Sequence, residues 1–157
     1  MSTIPSRTTP ARTFVFEETR VTRYVALDET AAGFTIPDPA QPLSDRHFHP
    51  IEFPGVIEVA AVIMFRTRHS GGARFTVRIN QERLTQYAFR NDDPPERCWH
   101  EIIPARGPAG PTLRAHNNEL TFGVSEGTVT FGDVVILYTS NEATVKISVN
   151  LPITLQT

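Results

Sequence analysis

Apolar and polar residues alternate with a period of two over much of this chain. Leu120, Phe122 and Val124 share one parity, with Glu119, Thr121 and Gly123 on the other. Val145, Ile147, Val149 and Leu151 likewise oppose Thr144, Lys146, Ser148 and Asn150. That period sends alternate side chains to opposite faces of a strand, so each run predicts a strand with one buried face. Strands are predicted over 13–18, 20–27, 33–36, 47–53, 56–68, 73–80, 84–89, 98–103, 112–116, 119–125, 128–139 and 144–151. Thirteen prolines and nine glycines are scattered along the chain, which leaves few windows long enough for a helix. Val134 through Tyr138 does not alternate, predicting a central strand covered on both faces. The pattern is that of an all-β chain: a single jelly-roll β-sandwich domain over 13–157, preceded by a Pro- and Thr-rich arm over 1–12.

Phe65–Phe75 reads Phe-Arg-Thr-Arg-His-Ser-Gly-Gly-Ala-Arg-Phe. Ser70-Gly71-Gly72 has the composition of a three-residue hairpin loop. With His69 paired to Ala73, Arg68 faces Arg74, Arg66 faces Thr76 and Met64 faces Arg78. Thr67 with Phe75, Phe65 with Val77 and Ile63 with Ile79 then form the buried face. Arg66, Arg68, Arg74 and Arg78 become a basic stripe on the outer face. Like charges directly across a ladder cost a few tenths of a kcal/mol or more. The stripe is therefore expected to meet carboxylates of its own chain or a partner, or an anionic ligand. Ala60, Val62 and Met64 make an apolar patch on that outer face, which a loop, the arm or a second subunit is expected to cover.

Composition narrows the function classes. Apolar residues make up 39% and charged residues 20% of the 157, with a net charge of −2. A general nucleic-acid binder would carry a basic excess, so that partner is not expected. Of the 15 basic residues only Lys146 is a lysine; arginine suits planar anions and fixed ion pairs. One cysteine, Cys98, excludes an internal disulfide, and beside Trp99 it is expected to be buried and inert. No run approaches the ~18 apolar residues of a membrane span, and no secretory signal opens the chain. A cytoplasmic protein, or one released without a cleaved signal peptide, is expected.

Four constellations carry candidate chemistry. Gly123-Val-Ser-Glu-Gly127 matches a hydrolase nucleophile pattern, but that elbow needs a helix after the serine, and Thr128-Val-Thr-Phe predicts a strand. No catalytic residue is assigned. Second, His47 and His49 share a strand face and could both reach one metal ion, with His116 as a third ligand. Third, Tyr87, Arg90, Asn91, Asp92 and Trp99 combine rings with hydrogen-bonding groups, as sugar sites do. Fourth, Asp28, Glu29, Asp38 and Asp45 could gather around Ca²⁺. Two loops, 37–45 and 104–111, suit a binding site carried on a rigid sandwich.

Two resemblances follow from these residues. His47-Phe-His-Pro-Ile-Glu52 resembles the His-X-His…Glu element of the cupin family, whose barrels hold a transition metal. Over Phe75–Tyr138 the chain resembles the galactose-binding-like jelly-roll domains found as carbohydrate-binding modules. Val77-Arg-Ile-Asn-Gln-Glu-Arg-Leu84 is similar to their hairpin, with Gln81 where glycine is usual. Leu113-Arg-Ala-His-Asn-Asn-Glu-Leu-Thr121 is similar to their Leu-Lys-x-Gly-x-Asn-x-Leu strand entry, with His116 in the glycine position. Val129–Tyr138 is similar to their final strand. The resemblance implies a jelly-roll fold. Together with Tyr87, Arg90, Asn91, Asp92 and Trp99 it leads to the expectation of a non-catalytic module that binds a carbohydrate or related polar ligand, with the Arg66, Arg68, Arg74 and Arg78 stripe as a second surface. A structural or assembly subunit, such as a capsid, tail or sheath-like homo-oligomer, is the alternative, and a metal-dependent cupin-like enzyme the third reading.

Overall fold

The computed structural model describes residues 12–38 and 44–149. Every regular element among them is a strand: β1 Arg12–Asp28, β2 Phe34–Ile36, β3 Asp45–Ile51, β4 Ala61–Ile79, β5 Glu82–Ala88, β6 Glu96–Ile103, β7 Arg106–Gly107, β8 Gly110–Pro111 and β9 Asn118–Val149. The registers that join β2 through β9 among the described residues are antiparallel. Among the described residues no helix is long and apolar enough to cross a membrane. Residues 20–141 form one compact unit, and the described segments 12–19 and 142–149 belong to a second. Residues 1–11 of the expected arm, and 39–43 of the first long loop, lie outside the described residues.

In the larger unit, β4 and β9 pair along a shared ladder from Val62↔Leu137 to Ile79↔Leu120. The ladder is too long to stay flat. Phe65 and Phe75 sit ten residues apart in one strand, about 33 Å if it ran straight, yet their ring centroids are 6.1 Å apart. Phe122 and Phe131 come within 4.8 Å in the same way. The ribbon therefore folds over, with its corner where the register shifts between Ser70 and Arg74. Gly72 (φ 75°) supplies the corner on β4 and Gly127 (φ 68°) the corner on β9. A Cβ at Gly127 would lie 2.9 Å from the Ala73 Cα, so the two bends nest only with glycine there.

Folding over makes two layers. In one, β6 flanks residues 61–68 of β4, which pair with 130–137 of β9. In the other, β5 flanks 74–79 of β4, which pair with 120–126 of β9, and β3 flanks β9. Their facing sides bury Ile63, Phe65, Phe75, Val77, Phe122 and Phe131. This is an all-β sandwich, as the alternation predicts.

Four expectations change. Ser70-Gly71-Gly72 is a corner in one long strand rather than a hairpin loop, and Ser125-Glu126-Gly127 is its counterpart. Arg68 lies opposite Thr130 and Glu96, and Arg74 opposite Glu126 and Ala88. The inward and outward faces are nonetheless as expected, because a corner and a hairpin both preserve the parity of the strand. Residues 112–116 form an irregular turn rather than a strand, because the side-chain amides of Asn80 and Asn118 satisfy its backbone. Cys98 is exposed, since Trp99 takes the inward parity of β6. Residues 134–138 lie in β9, where Val135, Ile136 and Leu137 pair with β4, but only Val134, Ile136 and Tyr138 are fully buried; Val135 and Leu137 look outward, half-covered.

Candidate functional site

Outside the sandwich, register builds a row of side chains across four strands. Arg83 of β5 is opposite Arg78 of β4, Arg78 is opposite Thr121 of β9, and Thr121 is opposite His47 of β3. Neighbouring strands are about 4.8 Å apart, so Arg78 and His47 bracket a floor about 10 Å wide. Asn80 (φ 45°) and Gln81 (φ 71°) form the tight turn joining β4 to β5 at one end of this floor. Both φ values are positive, as a two-residue hairpin turn of matching twist requires.

The wall is the Pro/Gly loop singled out in the sequence. Arg106 pairs with Pro111 and Gly107 with Gly110, leaving Pro108 and Ala109 at the tip. Arg106 anchors it through a 2.6 Å contact from Nη1 to the Glu58 carboxylate. Floor and wall enclose an open cleft of about 730 Å³ lined by both histidines, Arg78, Arg114, Glu82, Glu119 and the 107–112 loop, among others.

A buried amide pair fixes the geometry. Asn118, fully buried, donates through Nδ2 to the carbonyls of Ile51 (2.9 Å) and Arg114 (2.6 Å). Its Oδ1 accepts from the Arg114 amide (2.9 Å) and from Asn80 Nδ2 (2.7 Å). Asn80 also donates to the Thr112 carbonyl and accepts from the Glu119 amide. Two side chains thus tie the end of β3, the β4–β5 turn, the 112–117 turn and the start of β9. Arg114 Nη2 donates to the Asn117 carbonyl at 2.9 Å, which keeps its guanidinium beside the cleft.

Charge is distributed unevenly. His47 Nδ1 is 2.6 Å from Glu119 Oε1, and its Nε2 is 3.1 Å from Asp45 Oδ2. A carboxylate at each nitrogen favours the doubly protonated ring. Hydrogen bonding to Glu119, then to Asp45, raises the His47 pKa above its ordinary value, and bonding to His47 lowers that of Glu119. Arg78 is different. Arg66 bridges Glu96 and Asp133 at 2.9 Å each, Arg68 reaches Glu96 at 3.6 Å, and Arg74 reaches Glu126 at 3.9 Å. Arg78 forms no ion pair among the described residues, and it is the member of the expected stripe that lines the cleft.

The remaining sequence candidates fall elsewhere. Trp99 is 5% exposed, donates from Nε1 to the Thr67 hydroxyl at 2.8 Å, and is covered by the Arg97 guanidinium 4.0 Å from its centroid. Tyr87 packs against the core, and its hydroxyl donates to Asp93. The Asp93 carboxylate also accepts from the Arg90 amide, the main reason its pKa is lowered. Arg90, Asn91 and Asp92 are exposed in the turn that follows. Trp99 and Tyr87 therefore offer no open ring face beside Arg90, Asn91 and Asp92. His47 and His49 share the cleft, whereas His116 pairs with Glu52 and does not line it. Asp28 caps Thr30 and Asp45 holds His47. Among the described residues no group of three His, Cys, Asp or Glu side chains is placed to hold a metal ion. The pattern alone did not single out Arg114, Glu82, Glu119 or Gln81; the Asn-Gln turn, which fixes the β4–β5 register, was the signal that could have.

No family model, curated protein or solved structure matches the chain.

Proposed function

We propose that the chain is a non-catalytic binding module that holds a carbohydrate or similar polyhydroxylated molecule in the cleft between the Arg78–His47 floor and the 107–112 loop. The observation that carries this reading is the mixed lining of one preformed cleft. Arg78, Arg114, Gln81 and Asn117 offer donors, Glu82 and Glu119 offer acceptors, and Pro108, Ala109 and Pro111 offer an apolar wall. Sugars present hydroxyls of both roles around an apolar ring face. The volume lies within the ordinary range for small-ligand pockets, about 300–1,000 Å³. The resemblance of Val77–Leu84 and Leu113–Thr121 to galactose-binding-like modules points the same way, and those segments line much of the cleft. His47, engaged at both nitrogens, is held rather than poised for proton transfer. Titration calorimetry against a panel of neutral and acidic oligosaccharides tests the reading. Binding that disappears in Gln81→Ala plus Arg78→Gln supports it, and silence across the panel removes it.

A second reading, an assembly subunit, draws on a different surface. On the outer face of the first layer, Val62 lies beside Ile102 and Leu137, and Met64 beside Val135. Ile102 is 69% exposed. A contiguous apolar face of this kind is a common signature of self-association. Light scattering across a concentration series decides it: Ile102→Asp should dissociate any homo-oligomer, and a strict monomer at all concentrations ends the reading.

A further inference from the structure

Resting on the cleft-binding reading, we infer that the natural ligand is an acidic saccharide whose carboxylate is held by Arg78 and Arg114. Two guanidiniums line the cleft, and neither has a carboxylate within ion-pairing distance among the described residues. The other arginines of the stripe show that this chain supplies such partners where its own strands need them. Arg78 also lies directly opposite Arg83 in β5, whose Nη1 is turned to the neutral Gln86 amide oxygen at 2.9 Å. Like charges facing across a ladder are unfavourable. An incoming anion relieves that repulsion, which a neutral ligand does not. Glu119 adds little opposing charge, being held by His47. Glu82, near the Gly107 backbone, remains as an acceptor for hydroxyls. A guanidinium matches the planar carboxylate through paired parallel hydrogen bonds, and the Arg114 stem is steadied by its bond to Asn117.

The test compares one saccharide in two charge states. Trigalacturonic acid and its methyl ester share one sugar backbone; esterification removes each carboxylate charge and adds one methyl group in its place. Calorimetry at low salt should show the acid binding at least about tenfold more tightly than the ester, the preference falling steeply as salt is added. Arg78→Gln should erase the preference, while Arg68→Gln, which lies outside the cleft, should keep it. Near-ultraviolet spectra of the single tryptophan confirm that each variant is folded. Equal affinity for acid and ester overturns this inference and leaves the binding-module reading standing. A sulfated trisaccharide bound at least as tightly as the uronate overturns the carboxylate assignment. Absence of binding to acid, ester and sulfated sugar removes the inference together with the reading it rests on.

Discussion

Asn118 is the position where the sequence, the fold and the cleft depend most directly on one side chain. Replacing it with alanine removes four hydrogen bonds, each contributing about 0.5–1.5 kcal/mol net. The bonds to Arg114 and Asn80 can be partly replaced by water, because those residues are not fully buried. The Ile51 carbonyl is less fortunate: Ile51 is 3% exposed, and an unpaired buried acceptor costs about 1–3 kcal/mol. Together these predict a loss of about 3–4 kcal/mol for Asn118→Ala, or roughly 10 °C in Tm for a chain of this size. Asn118→Asp sharpens the argument. One carboxylate oxygen can still accept from Arg114 and Asn80, but the other is forced against the carbonyls of Ile51 and Arg114 without a proton to donate. The buried acid is therefore held protonated, with a folded pKa above the unfolded value of about 3.9. A raised folded pKa means that the folded state binds more protons, so the variant loses stability as pH rises. The slope is up to about 1.4 kcal/mol per pH unit between the two pKa values. Urea unfolding followed by Trp99 fluorescence at pH 5 and pH 7.5 measures both effects. A cost below about 1 kcal/mol for the alanine variant, or a cost for the aspartate variant that does not grow with pH, would refute the network.

Three further outcomes are expected. Gln81→Gly should stabilise the chain by about 0.5–1 kcal/mol in urea unfolding, because φ of 71° at a residue bearing a Cβ is disfavoured; a loss would mean that the Gln81 side chain makes a stabilising contact. Gly127→Ala should cost at least about 1–2 kcal/mol from its positive φ and the 2.9 Å approach to Ala73, and a neutral Tm would show that the corner is not held as described. By NMR titration His47 should have a pKa above about 6.5 that drops in Glu119→Gln. Its contribution to stability is then complete below the unfolded histidine pKa and is lost as pH rises through the raised folded value; the lowered Glu119 pKa adds a second loss as pH falls through it. A His47 pKa unmoved by Glu119→Gln would contradict the contact.

The faces of the strands were legible and their partners were not, for one physical reason. Alternation records only whether a side chain points inward. Ile63, Phe65, Thr67, Phe75, Val77 and Ile79 are all buried, as the period of two requires. The same parity is served by a hairpin at Ser70-Gly71-Gly72 and by a corner there. The choice depends on β9, whose bend at Gly127 lies more than fifty residues later in the sequence and nests against Ala73. A rule that treats glycine pairs as hairpin loops has no access to that partner. The same limit hid which carboxylates meet the stripe: Glu96, Glu126 and Asp133 arrive through non-local pairing.

The residues that line the cleft were hidden differently. Rings and polar groups close in sequence, such as Tyr87 to Trp99, suggested a sugar site, but Tyr87 of β5 and Trp99 of β6 pack with the core, while Arg90, Asn91 and Asp92 stay exposed in the turn between those strands. The cleft gathers His47 from β3, Arg78 from β4, Glu82 from β5 and Glu119 from β9, with Arg114 from a turn, and none of these is a motif by itself. What joins them is the Asn80–Asn118 pair, and one member was visible in advance as the asparagine of the Leu113–Thr121 strand entry. A buried asparagine that bonds two separate backbone segments and the side chain of a second asparagine constrains loops rather than fills space. The loops it constrains here are those that enclose the cleft, so substitutions that loosen the amide pair should weaken ligand binding even where the lining residues are untouched.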